Sequence, residues 1–319
     1  MADLEQTVRF YASNYELLGQ WLVCPGDKVV LGDPTQPRRC RFCGKSPPGA
    51  TFHKQAHAIP EALGNKSIES LYECDACNQA FGSGIENDLG NWTQPMRAFA
   101  RIRGKRGVPT LARGGSGGWR VEYDQSVMAM SANEMDSRFV VDEANKRLSA
   151  HVVRDVYTPV AVLKALTKIA LTLMPEEEVG NFREAMAWMR HPDHSMPFIS
   201  GKTVLHSFQP GPMPPDLLCA FLLRRLPDAT GVPYCFLVLG YGNEVLQVLI
   251  PSARHDGESA NPQVPAFRLP AAQSDVYGPV IERWLDLSSS VPIREEDVTV
   301  TLGYESATLL TPGVGASSP

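Results

Sequence analysis

A chain of 319 residues is long for a single hydrophobic core, so two domains with separate cores are the default expectation. Hydrophobic residues make up 43% and charged residues 20%, which excludes disorder as the overall state. The net charge of −5 argues against a protein that coats nucleic acid with its whole surface, and no apolar run approaches the roughly 20 residues of a membrane helix.

The N-terminal sequence MADLEQTVRFYASNYELLGQ is acidic and aromatic where a secretory signal is basic and then apolar, so a cytoplasmic location is expected. Residues 1–39 read as an N-terminal arm, with an amphipathic stretch from Val8 to Val23, a short strand KVVLG and the turn DPTQP. Residues 40–110 carry the clustered cysteines and a basic strip. Glycines 114, 115, 117 and 118 then mark a boundary. Residues 120–311 read as an α+β domain. RFVVDE and RLSAHVVRDV have strand composition, and TPVAVLKALTKIALTLMP is a helix that starts at Thr158 and Pro159 and stops at Pro175. A second helix is expected to line Val179, Phe182, Met186 and Met189 along one face. LLCAFLLRRL, YCFLVLGYG and EVLQVLIPS follow as buried strands. Residues 312–319 are expected to form a disordered tail.

Disulfides are rare in the cytoplasm, so clustered cysteines there are better read as metal ligands. Cys40-x-x-Cys43 and Cys74-x-x-Cys77 are two thiolate pairs with thirty residues between them, and four such sulfurs suit one structural zinc ion. Cys24, Cys219 and Cys235 sit in apolar surroundings and are expected in the core. Between the pairs lies TFHKQAHAIPEALGN. Phosphodiester hydrolysis needs a base for water and a cation for the leaving oxygen, and His57 titrates in the right range for the base. A helix starting near Cys74 brings Asn78 and, eight residues on, Glu86 as oxygen donors for Mg²⁺ or Mn²⁺. A lone strand histidine is otherwise a structural donor, Asn78 a helix cap and Glu86 a solvated face residue.

These residues resemble the HNH (ββα-metal) endonucleases of the Cys₄ zinc branch: a CxxC pair, then AHAIPEALGN, then CDACNQAFGSGIENDL. The resemblance covers roughly residues 38 to 107 and implies an N-terminal zinc-stabilised ββα-metal module there, so that with the α+β C-terminal domain read above the whole chain is expected to be α+β. It implies His57 as the general base, Asn78 as a ligand of the catalytic metal, and Cys40, Cys43, Cys74 and Cys77 as ligands of structural zinc. Two positions depart from the pattern. Ala56 stands where the family often has a metal-binding side chain, and the middle asparagine position falls at Glu69 or Ser70. Glu86, Asp75 and His53, in that order, are the candidates for the missing ligand. The resemblance also extends to nucleases of bacterial antiviral defence, which are often fused to a sensing domain.

From Leu89 to Val121 there is no acidic residue but seven basic ones, leaving 23 Lys and Arg to face all 35 acidic residues elsewhere. Within this strip Arg97, Arg101, Arg103, Lys105 and Arg106 are the expected phosphate contacts, with RIRGKR as an extended segment along a nucleic-acid backbone. The expected partner is DNA, with no membrane. The C-terminal domain offers no catalytic constellation, and His191 and His194 lack the frame of a metal site. A sensing role toward an activating ligand or partner protein, homo-oligomerisation, or DNA docking stays open for it. The rival reading is a zinc-stabilised nucleic-acid-binding module without catalysis, kept alive by Ala56 and the missing middle asparagine.

Overall fold

The computed structural model describes residues 2–23, 26–115, 118–124, 127–132, 138–198, 201–256, 264–267 and 274–308. In chain order, helix α1 (Ala2–Asn14) runs straight into strand β1 (Tyr15–Val23), followed by a short β2 (Val29–Leu31). Strands β3 (Ala56–His57) and β4 (Ile68–Ser70) flank a single 3₁₀ turn at Glu61–Leu63. Helices α2 (Asp75–Ser83) and α3 (Ile85–Phe99) meet at Gly84, whose backbone leaves the helical region. Five strands follow: β5 (Leu111–Arg113), β6 (Trp119–Asp124), β7 (Val127–Ala132), β8 (Phe139–Asp142) and β9 (Arg147–Val153). Next come α4 (Pro159–Leu173), α5 (Glu176–Val179) and α6 (Arg183–Arg190). The chain closes with β10 (Lys202–Phe208), β11 (Leu218–Arg225), β12 (Cys235–Tyr241), β13 (Glu244–Leu249), α7 (Ser274–Tyr277), β14 (Ile281–Asp286) and β15 (Asp297–Gly303). Among the described residues no helix is long and apolar enough to cross a membrane.

The main sheet has six antiparallel strands in the order β1-β11-β12-β13-β10-β14. Its first strand comes from residues 1–39, expected to form a separate arm: Tyr15 lies opposite Arg225 and Val23 opposite Leu218. The stretch Val8 to Val23 is therefore half helix and half strand, and the change falls at Asn14, whose side chain caps the last turn by donating to the Phe10 carbonyl. Two three-stranded sheets, β5-β6-β7 and β15-β9-β8, build a second unit, and β2-β4-β3 a small third. The glycine run lies between paired strands: β5 and β6 are antiparallel, with Arg113 opposite Trp119. Glycine composition suits a linker and a chain reversal equally, which is why the run reads as a boundary in sequence.

The expectation of one core for residues 40–110 and another for 120–311 is corrected by the burial. The largest cluster joins Cys40, Phe42, Ile59, Phe81 and Leu89 to the apolar residues of α4 from Val160 to Leu173 and to Leu218, Leu237 and Leu246 of the six-stranded sheet. Every residue of α4 is buried, so this helix is the centre of the molecule. A helix with apolar residues all round has no wet face to turn outward. A second core packs Phe99, at the end of α3, between Trp119 and Val152 of the two three-stranded sheets. A third lies on the other side of the six-stranded sheet around Tyr11, Tyr15 and Phe236. The expected second helix is split at Gly180 into α5, a 3₁₀ turn and α6, while Phe182 and Met189 still reach the core. Cys219 and Cys235 are buried as expected. Cys24 and the tail from residue 312 lie outside the described residues.

Candidate active site and metal centre

The two CxxC pairs converge. The sulfurs of Cys40, Cys43, Cys74 and Cys77 all lie within 4.8 Å of one another, and Cys43 Sγ is 3.7 Å from Cys74 Sγ. A tetrahedron of sulfurs about 2.3 Å from a central ion has edges of about 3.8 Å, so the cluster is compatible with structural zinc. The first pair is closed by a turn in which Gly44, at φ 72°, donates its N–H to the Cys40 carbonyl. Cys74 stands as the extended residue before α2, so Cys77 comes back on the first helical turn. The thiols share protons: a hydrogen bond from Cys77 lowers Cys40 to about 4, while that bond and burial push Cys77 up. Only Cys40 is held ionised in this way; burial also pushes Cys74 up, so a soft cation bound here would have to displace the protons of its neighbours.

His57 ends β3, opposite Glu69 of β4. Its Nδ1 is buried without a partner among the described residues, and its Nε2 lies 3.8 Å from Glu61 Oε2. The loop between the two strands is rigidly held. Asn65 is fully buried; its amide donates to the carbonyls of Ile59 and Ile68, and its oxygen accepts the N–H groups of Ser67 and Ile68. Gly64, at φ 91°, closes the 3₁₀ turn. Sequence reasoning placed the middle motif position at Glu69 or Ser70, but Glu69 pairs with Lys28 at 3.0 Å and Ser70 accepts the N–H of Tyr72. It is Asn65 that pins the loop, and its only sequence signal was a Gly-Asn pair ending AHAIPEALGN.

The remaining candidates scatter. Asn78 sits on the first turn of α2, half-buried, its side chain making no hydrogen bond within the described residues. Asp75 accepts the backbone N–H groups of His53 and Lys54, at 3.1 and 2.8 Å; with the Thr51 hydroxyl these bonds hold its carboxyl down at about 2. The His53 residue is exposed. Glu86 is not on the helix of Asn78, because Gly84 separates α2 from α3. Its carboxylate lies 2.9 Å from Lys168 of α4.

Residues 40–93 match the HNH endonuclease family model. No curated protein and no solved structure matches the chain. The match implies a nuclease acting on nucleic acid, and it ends well before α4.

That helix nonetheless completes the charge balance of the HNH segment. Lys168 is fully buried, its Nζ 2.9 Å from Glu73 and from Glu86 and 3.5 Å from the His57 carbonyl. Burial alone would lower its pKa, but Glu86 and Glu73 raise it above the ordinary lysine value, while burial pushes Glu73 upward. Arg41, between the first two cysteines, donates to the carbonyls of Leu171, Thr172 and Met174 and so caps the C-terminal end of α4. Asp88 accepts the N–H of Thr158 at the other end. Two lysines inside an otherwise apolar helical run, Lys164 and Lys168, were the available sequence signal. Lys164 binds the carbonyls of His191 and Asp193 and lies 3.3 Å from His194 Nδ1, so an ammonium sits where the H-x-x-H pair would have gathered a metal.

The basic strip divides. Arg97 is turned inward and bonds Thr93, the Ala62 carbonyl and the Gly90 carbonyl, so it is not free for phosphate. Arg101, Arg103, Lys105 and Arg106 are exposed. They form a compact turn in place of the expected extended segment. Gly104 and Gly107 exchange backbone hydrogen bonds of 3.0 and 3.2 Å, leaving Lys105 and Arg106 at the tip. A Cβ on Gly104 would stand 3.3 Å from Ala62 Cα, so the turn lies directly against the 3₁₀ turn that carries Glu61.

Proposed function

We propose that the protein is a metal-dependent endonuclease that hydrolyses phosphodiester bonds of DNA, with β3, β4 and α2 as its ββα-metal frame. The observation that best supports this is His57: within residues that match the HNH family model, its outer nitrogen faces the Glu61 carboxylate, and an exposed basic turn packs against the neighbouring loop. In this reading Nε2 of His57 takes a proton from water as the water oxygen attacks phosphorus. The bond to the leaving sugar oxygen breaks, that oxygen takes a proton from solvent, and the imidazolium returns its own proton to solvent. Bound Mg²⁺ or Mn²⁺ supplies neutralisation of the charge that develops on the phosphate and leaving oxygen. Asn78, with its free side chain on α2, would hold that cation. Arg101, Arg103, Lys105 and Arg106 hold the DNA backbone without reading sequence. The cysteine cluster, with structural Zn²⁺, takes no part in the chemistry and keeps α2 against the loop of residues 40–45.

By the resemblance of its motif alone, we read the biological role as that of an antiviral defence effector in the cytoplasm. In that role the C-terminal part receives an activating ligand, partner protein or second copy. Ala56 favours the second reading, a zinc-stabilised binding module without catalysis, which predicts salt-sensitive DNA binding and no cleavage. The test is nicking of supercoiled plasmid by wild type and His57→Ala, with Mg²⁺ or Mn²⁺ and with EDTA, at equal zinc content. Metal-dependent nicking lost in His57→Ala is the expected result. Full activity in that variant would falsify the assignment of the base.

A further inference from the structure

In the reading above Asn78 offers the catalytic cation a neutral oxygen only, whereas a hard divalent cation calls for a carboxylate as well, and Ala56 offers none. Residues 40–110 contain six acidic side chains. Five are committed elsewhere: Glu69 to Lys28, Glu73 and Glu86 to Lys168, Asp75 to the amides of His53 and Lys54, and Asp88 to the amide of Thr158. The sixth is Glu61. Among the described residues it has no lysine or arginine partner, its side chain is 32% exposed, and its Oε2 lies 3.8 Å from His57 Nε2. That separation is too long for a hydrogen bond and leaves the carboxylate available to another cation.

The position is also built to stay still. The 3₁₀ turn Glu61–Leu63 is anchored by Leu63 in the core, by Gly64 in the left-handed region, and by the buried Arg97 guanidinium on the Ala62 carbonyl at 3.0 Å. The buried Asn65 amide fixes the strand ends on either side. A ligand held on a frame of this kind loses little freedom when a cation binds.

We infer that Glu61 is the carboxylate ligand of the catalytic cation, taking the place that Ala56 leaves empty of charge. The inference rests on the reading of His57 as the base of a metal-dependent nuclease. It gives the buried Arg97 a purpose beyond packing, since its guanidinium sets the backbone from which Glu61 projects.

The experiment is Mn²⁺ titration of the zinc-loaded full chain, followed by the loss of the free Mn²⁺ paramagnetic signal, for wild type, Glu61→Gln, Glu61→Asp and His57→Ala. Plasmid nicking is measured in parallel. Glu61→Gln is expected to bind Mn²⁺ roughly tenfold or more weakly, with zinc content and melting temperature unchanged, and Glu61→Asp to recover part of the affinity. His57→Ala is expected to bind Mn²⁺ and not cleave. Wild-type Mn²⁺ affinity in Glu61→Gln overturns the assignment of Glu61. Absence of both Mn²⁺ binding and cleavage in the wild type overturns the nuclease reading itself.

Discussion

Replacing Lys168 with Met removes the single ammonium between two carboxylates at the centre of the molecule. The Glu73 side chain is fully buried and Glu86 is 16% exposed, so in the variant at least one carboxylate stays in the core without a counter-ion. Breaking a buried pair from one side costs about 3–5 kcal/mol. The lower end is expected, because Glu73 can escape by taking up a proton, a step its raised pKa already favours. About 3 kcal/mol corresponds to a melting temperature lowered by roughly 5 °C in a chain of this size. The pH dependence has a definite sign. A carboxylate with a folded-state pKa above its unfolded value of about 4.3 binds more protons when folded, so stability falls as pH rises. The defect in Lys168→Met is therefore larger at pH 8 than at pH 5. Lys168→Met with Glu73→Gln removes the orphaned charge and is expected to regain more than half of the loss. Thermal unfolding of zinc-loaded full-length protein at both pH values decides the matter. A single variant that melts within about 1 °C of wild type, or a double variant no better than the single, refutes the reasoning.

Three further outcomes follow, two from the basic strip and one from α5. Alanine at Lys105 and Arg106 should weaken DNA binding across all sequences and reduce the slope of log affinity against log salt by about 1.8. Arg97→Met should leave that slope alone and lower stability, and an equal effect on the slope would show that Arg97 reaches the DNA. Glu178 is held below the ordinary glutamate pKa: burial pushes it up, but hydrogen bonds from Asn181 and Tyr234 and the Arg224 guanidinium outweigh it. Its contribution is present above about pH 4.3 and lost as pH falls. Glu178→Gln should thus flatten the acid limb of a stability–pH curve, and an unchanged limb would remove Glu178 from the account.

What the sequence made legible was local. The CxxC spacings, the helix from Pro159 to Leu173 with its proline stop and the alternation in RLSAHVV each depend on residues a few positions apart, and the structure has an element at each. What escaped was non-local. No pattern in residues 15–23 says that they pair with residues 218–225, because strand partners two hundred residues apart leave no spacing signal. Arg97 and Arg103 look alike in a charge count, yet Arg97 is one helical turn from Thr93 on the inner side of α3 and Arg103 follows the helix. Glu86 seemed to share a face with Asn78 only while α2 and α3 counted as one helix. The charge that claims it lies 82 positions further along the chain, in a helix that sequence assigned to another domain.

That assignment is where the physics of the site departs most from its sequence limits. The HNH match stops at residue 93, but a closed account of charges and backbone groups does not. Glu73 and Glu86 find their counter-ion at Lys168, Arg41 finds its acceptors at Leu171, Thr172 and Met174, and Asp88 finds its donor at Thr158. All three lie on or at the ends of α4, and the middle contact also approaches the carbonyl of His57. A fragment ending at the glycine run keeps the cysteines, His57 and the basic turn, and strands two carboxylates and a guanidinium in what was the core. Buried charge without a partner is among the costliest features a fold can carry. The smallest unit that satisfies the site therefore includes α4, and any movement of that helix is felt at the backbone of His57.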